Sequence, residues 1–155
     1  MPCVSSDEVD ALMIVDASVW VAVFRANDAH HANSVAFLEA AIGAQDSLDV
    51  PNLVLAEIAG VFSRQTGEAR LASRTVRAVL SLPRLECHEL NDSLAEHAAE
   101  LAARCRLRGA DAVYVALAES LRSPLITLDN EILERSARVV SSATPADWLR
   151  SKSSR

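Results

Sequence analysis

Two short apolar runs, each closed by an aspartate, constrain the fold of this chain more than any other feature. Leu12-Met13-Ile14-Val15 ends at Asp16, and Pro124-Leu125-Ile126-Thr127-Leu128 ends at Asp129. An apolar run without polar alternation suits a central parallel strand, covered on both faces. Segments of helical spacing separate the runs. Strands alternating with helices predict an α/β fold with a parallel sheet. Ligands of such sheets sit beyond the carboxyl ends of the strands. Both aspartates are therefore expected at one site.

Between them the pattern reads as follows. A helix through Ser18–Phe24 has Ser18 as its expected cap. Another from about His30 to Ile42 places Val35, Leu38 and Ile42 on one face. Leu48 to Pro51 is short and extended. From Leu53 the spacing turns helical, with Val54, Ile58, Val61 and Phe62 on the apolar face and Glu57 beside it. Gly67 ends that helix, and the next runs from Glu68 to about Leu82, where Pro83 stops it. Leu85 to Leu90 is expected to be a strand. Ser93-Leu94-Ala95-Glu96 matches a capping box, and Leu94, Ala98, Leu101 and Cys105 continue at helical spacing. Gly109 breaks this helix, and the helix of Asp111 begins at once. After the Asp129 run come a short helix to about Ser136, a small strand at Val139-Val140, and a helix start at Thr144-Pro145-Ala146-Asp147, with proline at the first helical position. Residues 1–11 read as an N-terminal extension, 12–150 as one domain and 151–155 as a tail. There is no internal repeat.

Composition narrows the function classes. Of 155 residues, half are hydrophobic and 23% are charged, which suits one globular domain with a proper core. No apolar run approaches the ~20 residues that span a bilayer. The first ten residues lack the basic start and apolar stretch of a signal peptide, so a cytoplasmic protein without a membrane partner is expected. Cys3, Cys87 and Cys105 are odd in number and have no metal-ligand spacing; free thiols without a catalytic role are expected. The net charge of −6 argues against a broad electrostatic footprint on nucleic acid. Any nucleic-acid contact must be local, through metal ions and a few arginines.

Two further acids share the setting of Asp16 and Asp129. Glu57 lies within Val50-Pro51-Asn52-Leu53-Val54-Leu55-Ala56-Glu57-Ile58, and Asp111 opens the apolar run Ala112–Ala118. Carboxylates avoid such surroundings unless their charge is compensated. Four that converge would repel one another, and a hard divalent cation with oxygen ligands is the simplest compensation. A cation held by carboxylates suits phosphoryl chemistry. Taken singly, each acid has an ordinary explanation. Asp129 can be a helix cap, Asp16 a turn residue, Asp111 a favourable charge at a helix start and Glu57 the partner of an arginine.

Taken together, four motifs resemble the PIN-domain nucleases, most closely the VapC-type toxins of bacterial toxin–antitoxin pairs. They are Ile14-Val15-Asp16-Ala17-Ser18-Val19-Trp20-Val21-Ala22, Pro51–Ile58, Arg108-Gly109-Ala110-Asp111-Ala112-Val113-Tyr114-Val115-Ala116-Leu117-Ala118, and Leu125-Ile126-Thr127-Leu128-Asp129. They occur in the family's order, across residues 12 to 150. The resemblance implies a three-layer α/β/α fold around a five-stranded parallel sheet. It also implies an endoribonuclease that needs Mg²⁺ or Mn²⁺, with Asp16, Glu57, Asp111 and Asp129 as catalytic acids and Ser18 as an accessory hydroxyl. Asp16, Asp111 and Asp129 are the expected metal ligands. The implied partners are an RNA substrate, a VapB-like antitoxin and a second copy of the chain in a homodimer. An antitoxin arginine is expected at the acids, with Trp20, Phe24 and Phe62 as apolar anchors. The chain departs from the family in its longer N-terminal extension and in continuing the fourth motif with Asn130-Glu131.

Two other functions fit less well. An aspartyl-phosphate phosphatase with Asp16 as nucleophile needs a second aspartate two residues on and a later lysine; position 18 is Ser18, and the one lysine is Lys152 in the tail. A catalytically inactive PIN-fold binding module would have lost site acids, and none is lost. His30 and His31 read as a solvated pair at a helix start. Arg104, Arg106 and Arg108 read as a solvated face, with Arg106 and Arg108 as candidates for RNA phosphate contact. Trp20 and Trp148 read as packing or interface residues.

Overall fold

The computed structural model describes residues 10–154. Cys3 and most of the N-terminal extension lie outside the described residues. Five strands form one sheet: β1 (Leu12–Val15), β2 (Ser47–Pro51), β3 (Leu85–His88), β4 (Leu125–Ile126) and β5 (Ser142–Ala143). Their order is β3-β2-β1-β4-β5, and every pairing is parallel. The chain leaves β1 toward β2 on one side and returns to β4 on the other. That reversal opens a crevice beyond the ends of β1 and β4, the place where doubly wound sheets bind ligands.

Among the described residues eight helices accompany the sheet: α1 (Ala17–Phe24), α2 (His31–Gly43), α3 (Leu53–Thr66), α4 (Ala69–Leu80), α5 (Asp92–Cys105), α6 (Gly109–Leu121), α7 (Asn130–Arg135) and α8 (Pro145–Ser153). Met13, Ile14 and Val15 of β1 are almost fully buried, as an apolar central strand requires. The most enclosed helix is α6, whose residues from Ala112 to Ala118 are all buried. This explains why its sequence carries no amphipathic stripe; a helix apolar all round is an interior one. By contrast α3 buries only Val54, Ile58 and Phe62, one face at helical spacing. At the far end, α8 packs back on α2 through Phe37 and Trp148, whose rings meet edge to face at 5.0 Å, and Lys152 Nζ lies 5.2 Å from the Trp148 ring centre.

Several local expectations are corrected. The cap of α5 is Asn91, whose Oδ1 accepts from the Leu94 N–H at 2.9 Å, so Ser93 already lies inside the helix. That helix stops at Cys105, where Arg106 takes a left-handed φ of 56°, and Gly109 begins α6 instead of breaking α5. Val139 and Val140 form a turn on Ser136 O, and the edge strand is Ser142–Ala143, which pairs with Leu125 and Ile126. Val140 is apolar because it is buried, not because it is in a strand. Trp20 and Phe62 are also core residues, 1% and 5% exposed, and offer no anchor to a partner; Phe24 remains half exposed. The final helix continues to Ser153, past residue 150.

Candidate active site

Asp16 is the residue that follows β1 and precedes α1. Its backbone N–H is tied to Ile126 O at 2.9 Å, which fixes it beside the end of β4. The side chain is only 5% exposed, and two hydroxyls reach the same oxygen. Ser18 Oγ donates to Asp16 Oδ2 at 2.6 Å and Thr127 Oγ1 donates to it at 2.8 Å. Each hydroxyl then accepts from the backbone of the β4–α7 turn, Ser18 from Leu128 N–H and Thr127 from Asp129 N–H, both at 3.0 Å. Ser18 is thus not the cap of α1. It is a hydroxyl that joins the first acid to the turn carrying the fourth.

Asp129 caps α7. Its Oδ1 accepts from Glu131 N–H at 2.8 Å and from Ile132 N–H at 3.3 Å, so the ordinary explanation of this residue holds. The other oxygen is left for the site. There Arg108 Nη2 donates to Asp129 Oδ2 at 2.5 Å, and Arg108 Nε donates to Asp111 Oδ2 at 2.7 Å. Arg108 caps the start of α6 by position and Asp111 lies in the first turn, where the helix dipole favours a carboxylate. One guanidinium therefore joins the third and fourth acids. Arg106 follows the end of α5 with its side chain exposed, and its carbonyl accepts from Arg135. Glu131 pairs with Arg135 at 3.3 Å.

Glu57 reaches the group from α3. Tyr114, three residues beyond Asp111 on α6, donates its hydroxyl to Glu57 Oε2 at 2.5 Å. A tyrosine buried within an apolar helix needs such a partner. Burial and the neighbouring Asp16 and Glu57 charges hold its phenol well above the usual range.

Three of the carboxylates, Asp16, Glu57 and Asp111, have raised pKa values. Burial raises the Asp16 pKa above its ordinary value, the Ser18 and Thr127 hydrogen bonds oppose this, and the Asp111 charge adds to the rise. Burial also raises Glu57, against the Tyr114 hydrogen bond, with further increments from Asp16 and Asp111. At Asp111 burial outweighs the Arg108 contact, and the charges of Asp129 and Glu131 add to it. Such groups gain most when a positive charge joins them. The available donors are hard oxygens, the type a magnesium-like ion prefers. Among the described residues no three acidic, histidine or cysteine side chains are gathered closely enough to enclose a metal ion directly. The arrangement fits an ion that keeps several of its own waters.

The structure links the acids singled out in the sequence in pairs: Asp16 and Glu57 each feel Asp111, and Arg108 joins Asp111 to Asp129. His30 and His31 lie elsewhere, with His31 Nδ1 at 2.9 Å from Ala22 O. Sequence reasoning missed Thr127, Tyr114 and the bridging role of Arg108. Thr127 was the one polar residue within its apolar run, and Tyr114 the one hydroxyl within another.

A family model described as the PIN domain matches residues 13–138. The chain belongs to the PIN domain family. Among solved structures, it is similar to VapC20 of Mycobacterium tuberculosis, described as a sarcin–ricin loop cleaving toxin, with 23% identity over 81% of this chain and 94% of that one and a TM-score of 0.65. PAE2754 of Pyrobaculum aerophilum shares 21% identity over 94% and 92% of the two chains, with a TM-score of 0.67. A toxin–antitoxin complex from Klebsiella pneumoniae shares 17% over 87% and 97%, with a TM-score of 0.59. A search of curated protein sequences finds no match. At these identities the solved structures bear on fold: this PIN domain has the same layered sheet as the proteins it resembles.

Proposed function

We propose that this PIN domain is an endoribonuclease of the VapC toxin type, dependent on Mg²⁺ or Mn²⁺ and inhibited by a VapB-like antitoxin. The observation that carries the reading is Asp16, buried beside the end of β4 and held only by neutral donors, coupled to Glu57 and Asp111, with Arg108 joining Asp111 to Asp129. The toxin and toxin–antitoxin descriptions of similar structures support it. Among the described residues no helix is long and apolar enough to cross a membrane.

Asp16, Asp111 and Asp129 are the residues that would hold the ion. A bound divalent cation supplies an activated water and stabilises charge on the scissile phosphate. The protein's own contribution is positioning. Ser18 and Thr127 fix Asp16 Oδ2, while the α7 cap fixes Asp129. The Tyr114 hydroxyl occupies Glu57 Oε2 and leaves Oε1 to accept a hydrogen bond from an attacking water. Burial raises the pKa of Glu57 above its ordinary value, the direction that suits a carboxylate to take up a proton. Arg108, charged and 65% exposed, has the planar fork that recognises phosphate.

The deciding experiment is an RNA cleavage assay on purified protein, with and without EDTA. Cleavage is expected to vanish on chelation and to return with Mg²⁺ or Mn²⁺; undiminished cleavage in EDTA overturns the proposal. The antitoxin is proposed to place an arginine against the oxygens that Arg108 now contacts, with two toxin copies joined in a homodimer. Alanine at each arginine of the antitoxin's C-terminal segment should release nuclease activity. Full inhibition by every such variant would show that the segment blocks RNA sterically instead.

A further inference from the structure

This chain carries a net charge of −6, yet one of its surfaces is strongly basic. Helix α4 has Arg70, Arg74 and Arg77 and no acid of its own. At 100° per residue these three fall within about 60° of one another around the helix. The buried residues Ala72, Thr75 and Val79 occupy the opposite side. All three arginines are exposed, and none forms an ion pair among the described residues. They line an open hollow of about 710 Å³ with Leu71 and Ser73, where the one acid is Glu68 at the helix cap. Arg25, Arg84, Arg108, Arg135 and Arg150 pair with carboxylates; Arg64, Arg104, Arg106, Arg122 and Arg138 are also unpaired among the described residues, but they are not gathered on one helix face as the α4 arginines are.

The stripe also has a direction. Helices α3 and α4 form a hairpin turned by Gly67, whose φ of 71° is the left-handed conformation glycine allows. Glu57 lies ten residues before that glycine and Arg77 ten residues after it. Helices α3 and α4 pack against each other, so Glu57 and Arg77 stand equally far along the chain from the turn. The arginines span a rise of about 10 Å along α4 from the turn, on the side away from its buried residues.

We propose that the α4 arginines are the RNA-binding surface of this protein, holding phosphates of the strand whose scissile bond lies at the acids. The inference rests on the nuclease reading and extends it. It adds a surface to the phosphate-contact candidates Arg106 and Arg108. The occupant is a polyanion and not a protein segment, because the stripe presents guanidinium forks at one-turn spacing without the aromatic anchors that protein partners use.

The test separates binding from cleavage. Binding of a short labelled single-stranded RNA is measured in an Asp16→Asn background, with and without Arg70→Gln, Arg74→Gln and Arg77→Gln together, across a salt series. At about 0.7 counterions per phosphate contact, losing three contacts should lower the slope of log affinity against log salt by about two. Affinity at low salt should fall roughly tenfold. The matching Arg→Lys triple, which keeps the charge, should retain the slope. In the otherwise wild-type enzyme the Gln triple should raise KM and leave kcat unchanged. Unaltered RNA affinity and slope in the Gln triple overturn the proposal, as does an equal loss in the Lys triple. Failure of the wild-type protein to cleave any RNA would remove the nuclease reading while leaving the binding measurement to stand by itself.

Discussion

Two buried aspartates on neighbouring strands meet opposite fates in this fold. Asp49 lies within β2, opposite Ile14 of β1; Asp16 follows the end of β1 itself. Both are almost inaccessible, at 2% and 5% exposure. Asp49 receives the Ser47 hydroxyl on Oδ1 at 2.6 Å and His88 Nε2 on Oδ2 at 2.5 Å. It has a donor for each oxygen, and one of them is a ring able to carry positive charge. Asp16 receives two hydroxyls on a single oxygen, and its strongest charged neighbour is another acid. A buried carboxylate with a partner of opposite potential charge is structural. One held only by neutral donors keeps an unmet demand for a cation, which is the condition of a functional site.

The sharpest way to break this comparison is activity. Asp16→Asn should lower RNA cleavage by a factor of about 100 or more, while Asp49→Asn should stay within about threefold of wild type. Equal losses in initial-rate assays on matched, folded samples would erase the distinction. Stability should show the reverse order. Asp49→Ala leaves Ser47 and His88 without their acceptor and should cost about 2 kcal/mol, below the usual figure for a fully buried pair because His88 is about one-third exposed. Urea denaturation would measure it, and a loss under about 0.5 kcal/mol would mean that Asp49 is not the structural acid of the pair.

A smaller effect sharpens the contrast through pH. Asp16 has a raised pKa in the folded state without metal. Its folded form therefore binds the proton more tightly than its unfolded form. The stability this group contributes is complete below its ordinary value of 3.8 and is lost as pH rises through the folded value. Asp16→Asn removes that loss. In metal-free buffer its Tm should exceed that of wild type at neutral pH by a few degrees, and the gap should close toward pH 4. A gap that stays constant with pH would assign the change to packing and not to charge.

Which parts of this could be read from residues alone follows from the same physics. Asp16 and Asp129 were visible because they end apolar strands, and topology then placed them together. Asp111 and Glu57 needed helices to deliver them, and only the joint motif pattern pointed there. Asp49 went unremarked, because in Ser47-Leu48-Asp49-Val50 it alternates with apolar neighbours as an ordinary exposed strand residue would. Its burial comes from β3 and the covering helices, which are remote in sequence. The α5 cap was misplaced by two residues because Asn91 and Ser93 are both good caps, and the register of packing against α6 chose between them. β5 was missed because two small residues, Ser142 and Ala143, carry no strand signal; pairing with β4 alone makes them one. Arg108 was read as solvated, since nothing in the spacing of residues 108 and 129 reveals that a turn of the chain brings them within hydrogen-bond distance.

Asp129 divides its two oxygens between different duties, one closing the first turn of α7 and the other facing Arg108. The carboxylate is consequently immobile before any ligand arrives. The rotamer entropy of that side chain is lost once, when the chain folds, and not again at each encounter with a cation or a phosphate. It also cannot be replaced by its longer homologue without forfeiting one duty, since Asp129→Glu would carry the second oxygen past the guanidinium or the first past the helix end. A position that looks like a common helix cap is, for this molecule, a site where local architecture and chemistry have been written into the same three atoms.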